Sequence, residues 1–311
     1  MGIYLGSNSL GGGGAGGGGS LLTGTSTYRA LLIGGGGNGY YGTTYGAGGS
    51  GAGAFFDTIL SFYNDTAYNV VVGAGGGTTS FETAIGKFQA PTGGSGRRVS
   101  AGYAGASGGG ANSANTNFQK GGVPNLYNAK GERLASINLA YKYHTGSNYD
   151  PNFYTFDWLK APGLQTLGFP GGYADSGYES GGGGGAGGPG QSNTGNGRGG
   201  DARTSDIITT TTATSASVGD VDSGEVWFGR GGYGGRLSTV DTSYPGHGPG
   251  TGGGGQGSSI YPGGISSGDS GCVILKVPTT TDFTQTGATT YTDQGMTAII
   301  WTGAGTFQLN S

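Results

Sequence analysis

The chain is 311 residues long, holds 79 Gly and 10 Pro, and carries a formal net charge of −3 from 14 basic and 17 acidic side chains. Its Lys and Arg are scattered, which excludes a basic nucleic-acid groove; its single Cys272 excludes a disulfide framework; and no run of 18 apolar residues can cross a bilayer as a helix. The Gly and Pro content is that of low-complexity chains, yet 19 Tyr, 12 Phe and 3 Trp beside only 10 % charged residues belong to a chain that orders.

The N-terminus, MGIYLGSNSL, lacks the basic region and long apolar core of a secretory leader, so a chain made in a cytoplasm and not exported by the usual route is expected. After the run GGGGAGGGG (11–19), YRALLI (28–33) reads as a strand that leads directly into GGGGNG. AFFDTILSFY (54–63), YNVVV (68–72, leading into GAGGG) and FETAIGKFQA (81–90) have the branched and aromatic content of pleated, half-buried strands. From 111 to 180 glycine thins and aromatics crowd, as in YKYHTGSNYDPNFYTFDWLK (141–160), and ERLASINLAYK (132–142) is the only stretch that reads as a helix. A second dense run, GGGGGAGGPG (181–190), precedes an insertion at 201–229 in which TSDIITTTTATSASV reads as a threonine-rich β-arm with an exposed face, followed by EVWFG. Beyond GGGG (252–255) come CVILKV (272–277), TTYTDQ (289–294), MTAIIWTG (296–303) and TFQL (306–309), with the tight GAG at 303–305 expected as a closing hairpin. Cys272 lies in one of these apolar runs and reads as a small buried hydrophobe.

Ordering so much glycine is costly, because each fixed Gly loses about 0.5–1 kcal/mol more backbone freedom than Ala. A chain in the polyproline II conformation has three residues per turn and no internal hydrogen bonds, so its N–H and C=O groups point outward. Such strands pair side by side where no side chain separates them, which glycine permits. Each bond contributes about 1 kcal/mol net, similar to the added entropic cost, so aromatic and aliphatic burial at the lattice edge must supply the remainder. Flexible linkers are the alternative reading of each run; a collagen triple helix is excluded because GAGGSGAG (46–53) breaks the strict G-X-Y period. The expected fold class is mainly β with little helix: a small antiparallel β unit from both chain ends plus a glycine-rich polyproline-II-type (polyglycine) slab. Four regions follow: 1–111, glycine-rich; 112–180, an aromatic-rich insertion; 181–271, glycine-rich again with the arm at 201–229; and 272–311, strands completing the fold with the N-terminal region.

Catalytic machinery is hard to assemble from this sequence. Gly34, Gly36 and Gly39 satisfy G-x-G-x-x-G directly after a strand, but glycine density makes that spacing nearly unavoidable, and no amphipathic helix or acidic strand end follows. His144 and His247 have no metal-ligand spacing partner. Asp150 with Asp157, or Asp220 with Asp222, are pairs of the kind glycan cleavage uses, although loop carboxylates are ordinarily solvated. GRGGD (197–201) and GRGG (229–232) resemble RGG-type RNA-binding segments without the basic density around them. The expectation is a protein that is not an enzyme, with no cofactor, no metal and no nucleic-acid partner.

A family resemblance rests on the order aliphatic strand, GGGG, Tyr-containing turn, YNVVVGAGG, F-x-x-A-I-G, repeated glycine runs, and the closing G-x-S-G-C-V-I-L-K-V-P. This order resembles the glycine-rich domains of tailed-bacteriophage tail-fibre and receptor-binding (adhesin) proteins, whose bracketing strands map onto 68–76 and 270–278. It is also similar to the glycine-rich adhesins at the tips of long tail fibres in T-even-type phages. The resemblance implies stacked polyglycine strands with variable loops that bind the host surface. It departs from the pattern in its longer aromatic insertion, its threonine-rich arm and the strand group after Pro278.

A stiff frame that tolerates loop variation suits attachment, and aromatics beside Asn, Asp and Ser stack on sugar rings while bonding hydroxyls. The receptor-binding candidates are Tyr40, Tyr41 and Tyr45 in the first inter-run loop, Tyr141, Tyr143, His144, Tyr149, Tyr154 and Trp158 in the insertion, and Trp227, Tyr233, Tyr244 and Tyr261 later. Each has a core role as its alternative, Trp158 and Trp227 above all. The expected partners are a host cell-surface glycan or outer-membrane protein, a neighbouring virion protein and, as a homotrimer, two further copies, without membrane insertion. The expected place is the virion, at a tail fibre or another particle surface; a purely structural capsid or tail decoration protein is the alternative.

Overall fold

The computed structural model describes residues 24–39, 47–96, 102–111, 121–122, 124–135, 167–174, 180–192, 197–235, 250–255, 257 and 267–311. Within them the chain is mainly β with one short helix. Strands β1 (Thr25–Ile33), β2 (Phe55–Tyr63), β3 (Ala67–Val71), β4 (Thr79–Thr83) and β5 (Gly86–Ala90) come first. Then follow β6 (Leu126–Tyr127), β7 (Arg133–Ala135), β8 (Arg203–Thr204), helix α1 (Thr210–Ala216), β9 (Asp220–Asp222) and β10 (Glu225–Phe228). Strands β11 (Cys272–Pro278), β12 (Phe283–Asp293) and β13 (Met296–Leu309) come last.

The main sheet has the order β2-β1-β11-β13-β3-β4-β5, with β12 also on β13, and all its pairs are antiparallel. Front and back of the sequence meet in it, with Ile33 of β1 opposite Cys272 of β11. The sheet nearly closes: Ala84 N–H in the β4–β5 turn donates to the Ser61 carbonyl of β2 (2.8 Å), and Asn64 bridges to Leu309. Where β1 and β11 pair at Ala30–Ile33 and Cys272–Leu275, both read as unbroken apolar runs because both faces are covered there. Ala30, Leu32, Val273 and Leu275 enter the inner core, while Leu31, Ile33, Cys272 and Ile274 enter a second cluster on the other face. Phe62 centres the inner core, its ring centroid 5.0 Å from Phe307, 5.2 Å from Tyr68 and 5.3 Å from Phe81.

Gly303–Gly305 does not make the expected hairpin. Trp301 pairs with both Val273 and Ala288, and Phe307 pairs with both Tyr68 and Gln285, so β13 runs straight on and changes partner from β11 to β3 along one edge. The glycine at 305 supplies room: a Cβ there would strike the Thr286 carbonyl and the Trp301 indole, whose Nε1 donates to that same carbonyl (2.9 Å). The reversal is instead at Gln294–Gly295, both with positive φ (53° and 73°), a two-residue loop of the kind that matches strand twist.

Two further expectations are overturned. The threonine-rich run is α1 and not a β-arm: Thr209 Oγ accepts from Thr212 N–H (3.3 Å), Thr209 N–H donates to the buried Asp293 carboxylate (3.1 Å), and Ser217 at φ 53° ends the helix. Threonine costs a helix up to about 0.7 kcal/mol per residue, whereas burying an Ile or Phe gains about 1.5–3 kcal/mol. Ile207, Ile208, Ala213, Val218, Val226 and Phe228 all pack into the second cluster, so burial decides. The helix expected at 132–142 is, in its described part, strand β7 paired with β6. Asn128 Oδ1 accepts from the N–H groups of Lys130 (2.9 Å) and Glu132 (3.0 Å), and this turn folds the chain back.

Strands β1, β2, β3, β5 and β11 run on into glycine segments that bond to one another. Segment 47–54 shows the pattern. Gly49 and Ala52 donate to Gly181 and Gly184, Ser50 and Gly53 to Gly255 and Gly252, and Gly51 and Ala54 to Gly94 and Pro91, at 2.7–3.0 Å. Its carbonyls accept with the same period: Gly51 and Ala54 from Gly37 and Gly34, Gly49 and Ala52 from Gly110 and Ser107, Ala47 and Ser50 from Gly235 and Gly232. Six segments therefore surround it, each met at every third residue; 181–184 runs parallel to it and the other five antiparallel. A Cβ on Gly51 or Gly53 would overlap the carbonyl of Ser107 or Gly34. Ser50, fully buried, uses its Oγ to accept from Gly96 N–H (3.1 Å). Segment 181–186 repeats the period, donating in turn toward 108–111, 188–191 and 229–232.

Candidate functional site

Strands β8, β10 and β9 form a small antiparallel sheet beside α1. Alternation sends Val226 and Phe228 into the second cluster and places Arg203 on that same side, its guanidinium carbon 4.7 Å from the Phe55 ring centroid. The opposite face carries Thr204, Trp227 and Asp220 in one row and Glu225 with Asp222 in the next. Ser223 and Gly224, with φ of 52° and 81°, form the two-residue loop that fixes this register. Trp227 is half-buried, and its Nε1 donates to the Asp222 carbonyl (3.3 Å). Trp227 is thus outside both hydrophobic clusters, while its chain neighbours Val226 and Phe228 are inside one.

Polar ties orient this arm on the main sheet. Arg29 of β1 bonds Asp57 of β2 twice (3.0 and 2.7 Å) and Asp206 of the arm once (2.7 Å). Those carboxylates, Asp57 first, raise the Arg29 pKa further, and Arg29 in turn holds the Asp206 carboxyl below its ordinary range. Lys276 Nζ lies 3.4 Å from Asp293 and donates to Gln294 Oε1 (2.8 Å), and the Tyr291 hydroxyl donates to the Ser215 carbonyl (3.2 Å).

Tyr233 sits in the glycine segment 229–235, half-buried, with its carbonyl accepting from Gly257 N–H (2.7 Å). Trp227 and Tyr233 are therefore carried by different elements, the arm's sheet and a glycine segment. The candidates Tyr40, Tyr41, Tyr45, Tyr141, Tyr143, His144, Tyr149, Tyr154, Trp158, Tyr244 and Tyr261 lie outside the described residues. Thr204 and Glu225 escaped the sequence reading. Alternation in EVWF places Glu225 beside Trp227, but the pairing that brings Thr204 there has no local sign. Asp220 and Asp222, read from sequence as a carboxylate pair, share this face with Trp227.

The amides of Gly34, Gly35, Gly36 and Gly37, in the dinucleotide-like stretch, all donate to protein carbonyls, of Ala54, Gly77, Asp269 and Gly51. Cys272 is fully buried and burial pushes its thiol pKa up, so its sulfur packs as a hydrophobe. Among the described residues no three His, Cys, Asp or Glu side chains converge as metal ligands, and no helix is long and apolar enough to cross a membrane.

The family model described as a glycine-rich domain matches residues 20–278, most of the chain. No curated protein and no solved structure matches it.

Proposed function

The chain belongs to the glycine-rich domain family, and from the order of its strands and glycine runs we propose that it is a structural protein of a tailed-phage particle, a tail-fibre or receptor-binding component that attaches to the host surface. The observation that supports this reading most is the bonding of segment 47–54 to six neighbours with a three-residue period. That period fits polyproline-II-type strands packed as a slab, and a slab held by main-chain bonds leaves the intervening loops free to vary. Aromatic side chains beside Asp, Asn and Ser on those loops then stack on sugar rings and bond hydroxyls of a host glycan or outer-membrane protein. The work is binding and not catalysis. A neighbouring virion protein anchors the chain to the particle surface, and three copies assemble, an assignment that light scattering checks.

The test is adsorption of the purified protein to host cells. Saturable binding is expected, with Tyr143→Ala/Tyr154→Ala together lowering affinity at least about tenfold at unchanged melting temperature. A wild-type protein that fails to adsorb, with copies labelled all over the particle head, replaces attachment by a decorating role.

A further inference from the structure

The outward face of the β8–β10–β9 sheet combines an indole with carboxylates, and among the described residues of its three strands no base lies on it. Asp222 and Glu225 on it are exposed, and Asp220 beside Trp227 is half-buried and already engaged. Arg203, the only basic residue on these three strands, is on the other side over Phe55. The Trp227 Nε1 donates to the Asp222 carbonyl across the Ser223–Gly224 turn, a restraint that reduces the side-chain freedom to be lost on binding.

The charge on this face decides between ligands. A neutral sugar stacks on the indole but makes no use of the negative charge around it. A metal ion needs several convergent ligands, and among the described residues no three His, Cys, Asp or Glu side chains converge. A pyranose carrying a protonated amine uses every part: its C–H face stacks on the ring, its ammonium is drawn to the ring quadrupole and pairs with a carboxylate, and its hydroxyls reach Thr204. We propose that this face binds the amino-sugar units of a cationic polysaccharide, through Trp227, Glu225 and Asp222. The proposal rests on the attachment reading and names the chemistry recognised.

Titrating the full chain with a glucosamine pentamer and with its neutral N-acetylated counterpart separates charge from stacking. The amine form is expected to bind at least about tenfold more tightly, and more weakly as salt rises from about 50 to about 500 mM. Trp227→Ala should weaken it about tenfold, Trp227→Phe should keep most of the binding, and Asp222→Asn or Glu225→Gln should each cost roughly threefold. Melting curves of each variant identify any that fails to fold. Equal binding of the two pentamers, pentalysine binding as tightly as the amine sugar, no binding at all, or full binding by folded Trp227→Ala overturns the proposal. If the wild type adsorbs to cells and the Asp222→Asn/Glu225→Gln double variant adsorbs equally well, this face is not the contact while attachment stands; a wild type that never adsorbs removes the attachment reading itself.

Discussion

At the scale of single residues, one atom separates a tolerated position from a forbidden one. Gly51 has φ in the ordinary range, yet the carbonyl of Ser107 occupies the space of its missing Cβ. Gly224 is the converse, with open space around it and a φ of 81°. Gly51→Ala must push a bonded neighbour aside and is expected to cost about 1–3 kcal/mol, against about 1–2 kcal/mol of backbone strain for Gly224→Ala. Denaturant titration compares the two, and the distinction appears in the partners as well: Gly51→Ala should also speed exchange of the Gly37 and Gly94 amides. Ser50 shows what the lattice accepts, since its hydroxyl takes the Gly96 N–H (3.1 Å) and so leaves no polar group stranded.

At the scale of elements, the arm illustrates which ties matter. Removing the cap by Thr209→Ala should cost about 1 kcal/mol, read as a lower melting temperature. The Arg29–Asp206 pair contributes less, because Asp206 is solvent-exposed and screened, below about 1 kcal/mol. Its pH dependence has a definite sign. Arg29 lowers the folded-state pKa of Asp206, so the contribution is whole above the unfolded carboxyl value of about 3.9 and is lost as pH falls through the lower folded value. Asp206→Asn should therefore differ slightly from wild type in melts at pH 7 and converge with it once pH has fallen below the folded-state pKa of Asp206.

The same elements show what the sequence discloses. YRALLI and CVILKV are legible because ALLI and CVIL within them are covered on both faces and so carry no polar position, with Arg29 and Lys276 just outside those stretches. Helix α1 is not, because TTTTATSA has strand-like composition and its helicity depends on Ile207, Ile208 and Phe228 reaching β1 and β11, contacts distant in sequence. Gly303–Gly305 misled for a related reason: glycine marks both turns and close approaches, and the Trp301 ring that needs the space is found only by folding β13. For the candidate site, composition singled out Trp227 and alternation pairs it with Glu225, but the row joining Thr204 to Asp220 requires the three-stranded register.

At the scale of the whole molecule, two kinds of cohesion are joined end to end. The sheet is held by side chains packed around Phe62, Phe81, Trp301 and Phe307, and the glycine segments by main-chain bonds. Hydrogen exchange distinguishes them: amides 49–54, enclosed by six segments, are expected to exchange among the slowest in the molecule, while those of the exposed β9–β10 loop exchange first. Fast exchange throughout 49–54 would contradict a rigid lattice.

The three-residue period of segment 47–54 also imposes a phase on the gene. One added codon there would rotate each later amide by a third of a turn, toward the wrong neighbour, whereas three added codons bring every donor back into phase. Length variation in such a chain should thus accumulate in triplets of residues inside the bonded segments, and in any number within the loops that join them.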